Sequence, residues 1–300
     1  MDLLDEALKA GPDLVCLPEA FTTMGMADLT IDQRAETVPG PTTDAAAKRA
    51  RENRCYVICP IKRKDGEAYR NTAVILDRTG CVAGMYDKAC PVTTTPDYTV
   101  VEGGVTPGAE DIPVFDLDFG RIGIQICFDL GFPENWACLA RKDARLVFWP
   151  SAYDGGFPLR CFAYLHHYYV VSSVRSGASR IIDPLGAIGE ETEPDRLVVQ
   201  RDINLDFFVY HNDFNRSVAD RIAGRYRDRV AVWDSAPGSS HTVVEPVVSD
   251  LSTGEIRRSI GIEPTAQYHQ RHRDAYRYLR SGEAAPPQAA AHGDRAQYGE

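Results

Sequence analysis

Short apolar, β-branched runs alternate along this chain with amphipathic stretches, and Gly, Pro or Asn usually marks the change. Leu3 to Ala10 has the spacing of an amphipathic helix and stops at Gly11-Pro12. Asp13 to Leu17 reads as a buried strand that ends at Pro18 and delivers Glu19 just beyond it. A helix is predicted over Thr43 to Asn53, opening from Pro-Thr-Thr-Asp. Strands follow at 54–61, 72–77 and 81–86, with Arg78-Thr79-Gly80 as a hairpin turn. The Pro-, Thr- and Gly-rich stretch 89–111 reads as a long loop, a kind of segment that is often functional. Strands near 113–117 and 122–127 precede a helix from Pro133 to Arg141, where Pro133 and Glu134 suit a helix N-terminus. Further strands are expected at 145–150, 168–174, 178–182, 197–203 and 242–248, with a type I turn at Asp183-Pro184-Leu185-Gly186. Helices are expected near 216–224 and 266–280, and a disordered tail over 281–300. Strands mixed with helices and hairpins predict a layered α/β domain rather than a doubly wound parallel sheet. No internal repeat or linker stands out. The expectation is one domain over 1–280, with a C-terminal extension from about 206.

Composition narrows the function classes. Of the 300 residues, 44% are hydrophobic and 25% charged, a globular mixture without an apolar run long enough to span a bilayer. A net charge of −10 argues against nucleic acid as a partner. The arginines from Arg216 to Arg229 alternate with Asp220 and Asp228, which reads as a solvated helix face. The N-terminus lacks a basic n-region and an apolar h-region, so a cytoplasmic location is expected. Eight cysteines then read as free thiols, several of them in strand-like runs. No C-x-x-C pair or zinc spacing occurs, so neither a metal nor a cofactor is expected.

Three residues could carry chemistry. Cys127 ends an apolar run and is followed at once by a turn and a helix start. Taken alone it is either a packed core thiol or a nucleophile that backbone N–H groups could serve. Glu19 and Lys88 each follow an apolar strand, in LPEAF and YDKACP. Groups at strand ends of layered α/β folds converge on one crevice.

Together these motifs resemble the nitrilase superfamily of carbon–nitrogen hydrolases. LPEAF is similar to the family's glutamate motif, YDKACP to its lysine motif, and GIQICFDLGFPE to its cysteine motif, G-x-x-x-C-x-D-x-x-F-P-E. NTAVILDRTGCVAGMYDK, VVEGGVTPG, LVFWPSAY and SRIIDPLGAI extend the likeness, in order, over roughly residues 3 to 205. The resemblance implies an α-β-β-α sandwich and a catalytic set of Glu19, Lys88 and Cys127. It also implies Glu102 as a second glutamate, the Phe128 backbone N–H as an oxyanion donor, and Trp149 and Tyr153 near the substrate. The implied activity is hydrolysis of a small linear amide or N-carbamoyl compound through a cysteine thioester. Nitrile hydrolysis by the same residues and an inactive scaffold are the alternatives. A homodimer or higher homo-oligomer is implied as well. Two departures stand out. The family's usual first strand has no counterpart before the first helix, and Leu165-His166 replace a Glu-Asn pair. His166-His167 suggest a Cys-His dyad only weakly, because nothing in the sequence orients them toward Cys127.

Overall fold

In the computed structural model, which describes residues 1–286 except 27, 214 and 236–239, the chain divides into two units, 1–202 and 203–300. The unit over 1–202 opens with α1 (Asp2–Leu8), whose first turn carries Asp2 and Asp5 and whose Leu4, Ala7 and Leu8 are buried. Strand β1 (Leu14–Cys16), the short α2 (Ile31–Arg34) and α3 (Pro41–Asn53) follow. Then come β2 (Tyr56–Asp65), β3 (Ala68–Leu76) and β4 (Val82–Asp87). These strands form one sheet in the order β1-β2-β3-β4, parallel between β1 and β2 and antiparallel elsewhere. Leu4 and Leu8 of α1 and Ala46 and Ala50 of α3 close a core against Val57, Cys59, Ile61, Val74 and Leu76.

The second sheet uses β5 (Val114–Leu117), β6 (Gly120–Ile124), β7 (Leu146–Ser151), β8 (Tyr169–Val174), β9 (Arg180–Ile182) and β10 (Ile188–Glu191), in the order β10-β9-β8-β7-β6-β5. Helices α4 (Pro133–Arg141) and α5 (Gly156–His166) cover it, with Trp136 stacked on Phe162 at 4.6 Å. Gly123 of β6 admits the Leu139 side chain of α4 so closely that a Cβ there would stand 2.7 Å from it. The two sheets face one another. Phe115 of β5 lies against Gly84 of β4, and Tyr86 of β4 bonds to Asp129 just past β6. Helix, sheet, sheet and helix therefore stack as four layers, the expected α-β-β-α sandwich.

The strand expected at 197–203 does not form. The edge strand is β10, antiparallel to β9, because the Asp183 turn folds the chain straight back, with Gly186 N–H donating to Asp183 O at 2.9 Å. Leu197 is 60% exposed, so this short apolar run has no sheet face to bury. At its C-terminal end the strand expected over 122–127 stops at Ile124, and Cys127 begins a 3-10 turn instead.

The unit over 203–300 contains β11 (Phe208–His211), α6 (Val218–Tyr226), β12 (Val230–Trp233), β13 (His241–Pro246), α7 (Thr253–Ile260) and α8 (Thr265–Ser281). Its sheet is antiparallel, in the order β11-β13-β12, and buries Phe208, Tyr210 and Val244 against Val218, Ile222 and Ile256. The arginine-rich stretch is indeed helical in α6, where Val218 and Ile222 alone supply its buried residues. Most of the tail expected to be disordered, from 287 onward, lies outside the described residues. Among the described residues, no helix is long and apolar enough to cross a membrane.

Candidate active site

Strand ends deliver the charged groups. Leu17 N–H still pairs with Ile58 O at 3.0 Å, after which the chain leaves the sheet and Glu19 turns inward, 5% exposed. Lys88 follows β4, held by its own N–H to Asn71 O at 2.8 Å, and is only 1% exposed. The loop after it folds back so tightly that Gly108 N–H reaches Lys88 O at 2.8 Å; a Cβ on Gly108 would stand 2.2 Å from Asp87 O. Only glycine fits that approach. The same loop presents Glu102, whose φ of +43° is left-handed.

Lys88 Nζ donates to Glu19 Oε1 at 3.0 Å and also to Glu102 Oε1. Burial by itself would push the Glu102 carboxyl up, but the Lys62 and Lys88 ammonium groups outweigh it and hold it at about 2. Burial likewise opposes the charge on Lys88, yet Glu19 and Glu102 keep it ionised well beyond the usual lysine range.

Cys127 sits at the start of the 3-10 turn with φ +50°, a strained conformation for a residue with a side chain. Burial, then the Glu19 charge, raise its thiol to about 11, while Lys88, the Ala152 N–H and the Ser151 hydroxyl pull the other way. Near neutral pH the sulfur is therefore a thiol, not a preformed thiolate.

A family model described as carbon-nitrogen hydrolase matches residues 1–208. A nitrilase from Pyrococcus abyssi (strain GE5 / Orsay) is 29% identical over 239 residues, covering 73% of this chain and 88% of its own. A beta-ureidopropionase from Arabidopsis thaliana is 32% identical over 160 residues, 51% of this chain and 38% of its own. Among solved structures, an amidase from Nesterenkonia sp. AN1 shares the fold with a TM-score of 0.52 at 21% identity, over 63% of this chain and 78% of that one. This chain belongs to the carbon–nitrogen hydrolase family.

This carbon–nitrogen hydrolase supports its site with residues that the sequence reading did not single out. Asn71 lies directly opposite Lys62 in the β2–β3 ladder. Its Nδ2 donates to Glu19 Oε1 at 2.8 Å and to Glu102 Oε2 at 2.9 Å. Lys62 Nζ donates to Glu102 Oε2 at 2.6 Å. The sequence carries no advance signal for Lys62, which falls just past the strand expected at 54–61; only the longer β2–β3 ladder puts it on one face with Asn71, whereas Arg63 turns to Thr72 and Asp87.

Asp129 satisfies its own turn by accepting from Ile126 N–H at 2.8 Å. It also accepts from Tyr86 Oη at 2.7 Å and from Cys90 N–H at 2.8 Å, so one buried carboxylate ties the lysine loop to the cysteine turn of the hydrolase. Trp149 is fully buried, and its Nε1–H donates to Cys127 O at 3.1 Å. Tyr153 packs edge-on against Trp149 and is partly exposed, as is Phe128, which packs edge-on against Phe132. His166 stacks parallel to Phe162, and His167 Nδ1 lies 3.2 Å from Pro184 O, so both are engaged on the α5 side of the second sheet. Leu165 is exposed there. Among the described residues, no group of three or more His, Cys, Asp or Glu is arranged to hold a metal ion.

Proposed function

We propose that this protein hydrolyses the C–N bond of a small linear amide or N-carbamoyl compound, with Cys127 as nucleophile, Glu19 as general base and acid, and Lys88 as oxyanion cation. The observation that carries the reading is the buried Lys88 ammonium on Glu19, with the Cys127 thiol under the charges of both. Because the resting sulfur is protonated, Glu19 takes its proton as sulfur attacks the carbonyl carbon. Lys88 and the Phe128 N–H, next in the turn, stabilise the oxyanion. As the tetrahedral intermediate collapses, the C–N bond breaks and Glu19 returns the proton to the leaving amine or ammonia. Glu19 then takes a proton from water, which attacks the thioester. The acid leaves, and the thiol regains its proton. Glu102 steadies Lys88. Trp149 serves by holding the Cys127 carbonyl rather than by touching substrate, and Tyr153 and Phe128 contribute the exposed aromatic surface that meets the acyl group.

Support for a nucleophilic cysteine comes from a glutamate-to-glutamine mutant of the Nesterenkonia amidase, which carries the acetamide moiety of fluoroacetamide added covalently at its active site cysteine. The nitrile alternative has its own support in the nitrilase from Pyrococcus abyssi, so nitriles belong in the same test. An ammonia-release screen across ω-amides, N-carbamoyl amino acids and nitriles should give turnover that Cys127→Ala and Glu19→Gln each abolish. Turnover that survives in Cys127→Ala overturns the mechanism. A chain inactive on every class favours the scaffold alternative.

A further inference from the structure

Lys62 is a buried cation with no part in the chemistry above; its side chain is 9% exposed. Its ammonium lies 2.6 Å from Glu102 Oε2, the oxygen that Lys88 does not use. Asn71, its cross-strand partner, donates to that same oxygen and to Glu19. The groups form a row of alternating charge: Glu19, Lys88, Glu102, Lys62. With Lys62 the row is neutral. Without it, two buried carboxylates would share one ammonium, and an oxyanion forming beside Lys88 would add a third negative charge.

We propose that Lys62 is a positioning residue: paired with the far oxygen of Glu102, it cancels that carboxylate's charge, fixes its plane, and leaves the Lys88 ammonium to serve Glu19 and the oxyanion. This inference rests on the catalytic reading above. The other groups facing the row are few. Cys127, Tyr153, Cys90 and the buried Asp129 lie on the Lys88 side. The Val92 N–H points at Glu102 Oε1 at 3.4 Å, and the Arg34 side chain reaches the neighbouring Gly103. Glu36 meets β2 through its backbone and sends its carboxylate to Thr42 instead.

The test compares Lys62→Met, Lys62→Arg, Glu102→Gln and the double variant Lys62→Met/Glu102→Gln. With the amide turned over fastest in the screen, Lys62→Met should lower kcat by on the order of tenfold or more, the effect of about one pKa unit at the site, with KM little changed. The acid limb of its kcat/KM profile should move to higher pH, because losing a cation makes nearby carboxylates harder to ionise. Lys62→Arg should restore most of the rate. In the Glu102→Gln background, Lys62→Met should cost nothing further. A second readout needs no substrate: the 13C-carboxyl resonance of Glu102, assigned by its loss in Glu102→Gln, should titrate at higher pH in Lys62→Met. An unchanged kcat and acid limb, or an equal loss in both backgrounds, overturns the proposal. If Lys62→Met unfolds while the double variant folds, the pairing is supported; if both unfold, Lys62 is only structural and the proposal fails. Should Cys127→Ala keep its activity, the catalytic reading falls, while the Glu102 titration still reports on the pair.

Discussion

Cys127 lies in a turn that few side-chain-bearing residues adopt, with its carbonyl pinned by Trp149 and its thiol under the opposed charges of Glu19 and Lys88. Its raised thiol value has a direct consequence. Iodoacetamide labelling of Cys127, followed by mass spectrometry, should accelerate steadily from pH 7 toward about pH 11, because the reactive thiolate is scarce below that range. A plateau already reached at neutral pH would contradict a protonated resting thiol. Asn71 matters for a different reason. Its single amide group serves both glutamates, so Asn71→Leu strips one donor from each buried carboxylate. Urea denaturation should register a loss of about 2–3 kcal/mol, the usual scale for hydrogen bonds to buried charged groups. A change within 0.5 kcal/mol, the scale of ordinary surface substitutions, would mean that other donors compensate.

At the scale of elements, the site depends on two loops from two sheets being held together. Asp129 does this by accepting from Ile126, Tyr86 and Cys90. Asp129→Asn keeps the shape but puts an NH2 group where a carboxylate oxygen now faces a backbone N–H. Thermal unfolding should show a destabilisation of about 2–4 kcal/mol, with a parallel fall in activity as the lysine loop and cysteine turn lose their link. An Asp129→Asn protein of native stability and full activity would show that the sheets hold the two loops in register without it. The paired sheets do the coarser work. The segments that leave β1, β4 and β6 carry Glu19, Lys88 and Cys127, although β1 and β4 are opposite edges of one sheet and β6 lies in the other, and the β2–β3 ladder places Lys62 opposite Asn71.

For the whole molecule, the shifted groups set the pH range of stability. The Glu102 carboxyl is depressed from the ordinary 4.5 to about 2 in the fold. A depressed acid stabilises the fold fully above its unfolded value and loses that contribution as pH falls through the folded one. Stability should therefore drop between about pH 4.5 and pH 2, by on the order of 3 kcal/mol from this group. The Cys127 thiol is raised from the ordinary 9.0 to about 11, so its contribution is complete below pH 9 and fades as pH rises toward 11. Asp129, raised by burial, opposes the Glu102 trend at the acid end. Urea midpoints measured from pH 2 to pH 11 should form a dome, flattened on the acid side in Glu102→Gln and on the alkaline side in Cys127→Ala. Identical acid limbs in wild type and Glu102→Gln would mean that Glu102 is not held down as described.

Much of this was determined by the sequence itself. The runs around LPEAF, YDKACP and GIQICFDLGFPE are local patterns, in which an apolar stretch specifies a buried strand and the polar residue just past it must emerge at that strand's end. The layered α/β class followed from the same alternation. What the sequence left open are matters of partnership. Whether a run such as 197–203 becomes a strand depends on a sheet edge being free to pair with it, and the Asp183 turn gave that edge to Ile188–Glu191. Lys62 in a run of charges looks like any hairpin lysine until the register sets it opposite Asn71 and a distant loop brings Glu102 down upon it. Asp129 looks like a turn residue until the facing sheet supplies Tyr86 and Cys90. The charge balance of the buried row belongs to no segment of the chain. It arises only when four side chains, far apart in sequence, are removed from water together and must neutralise one another.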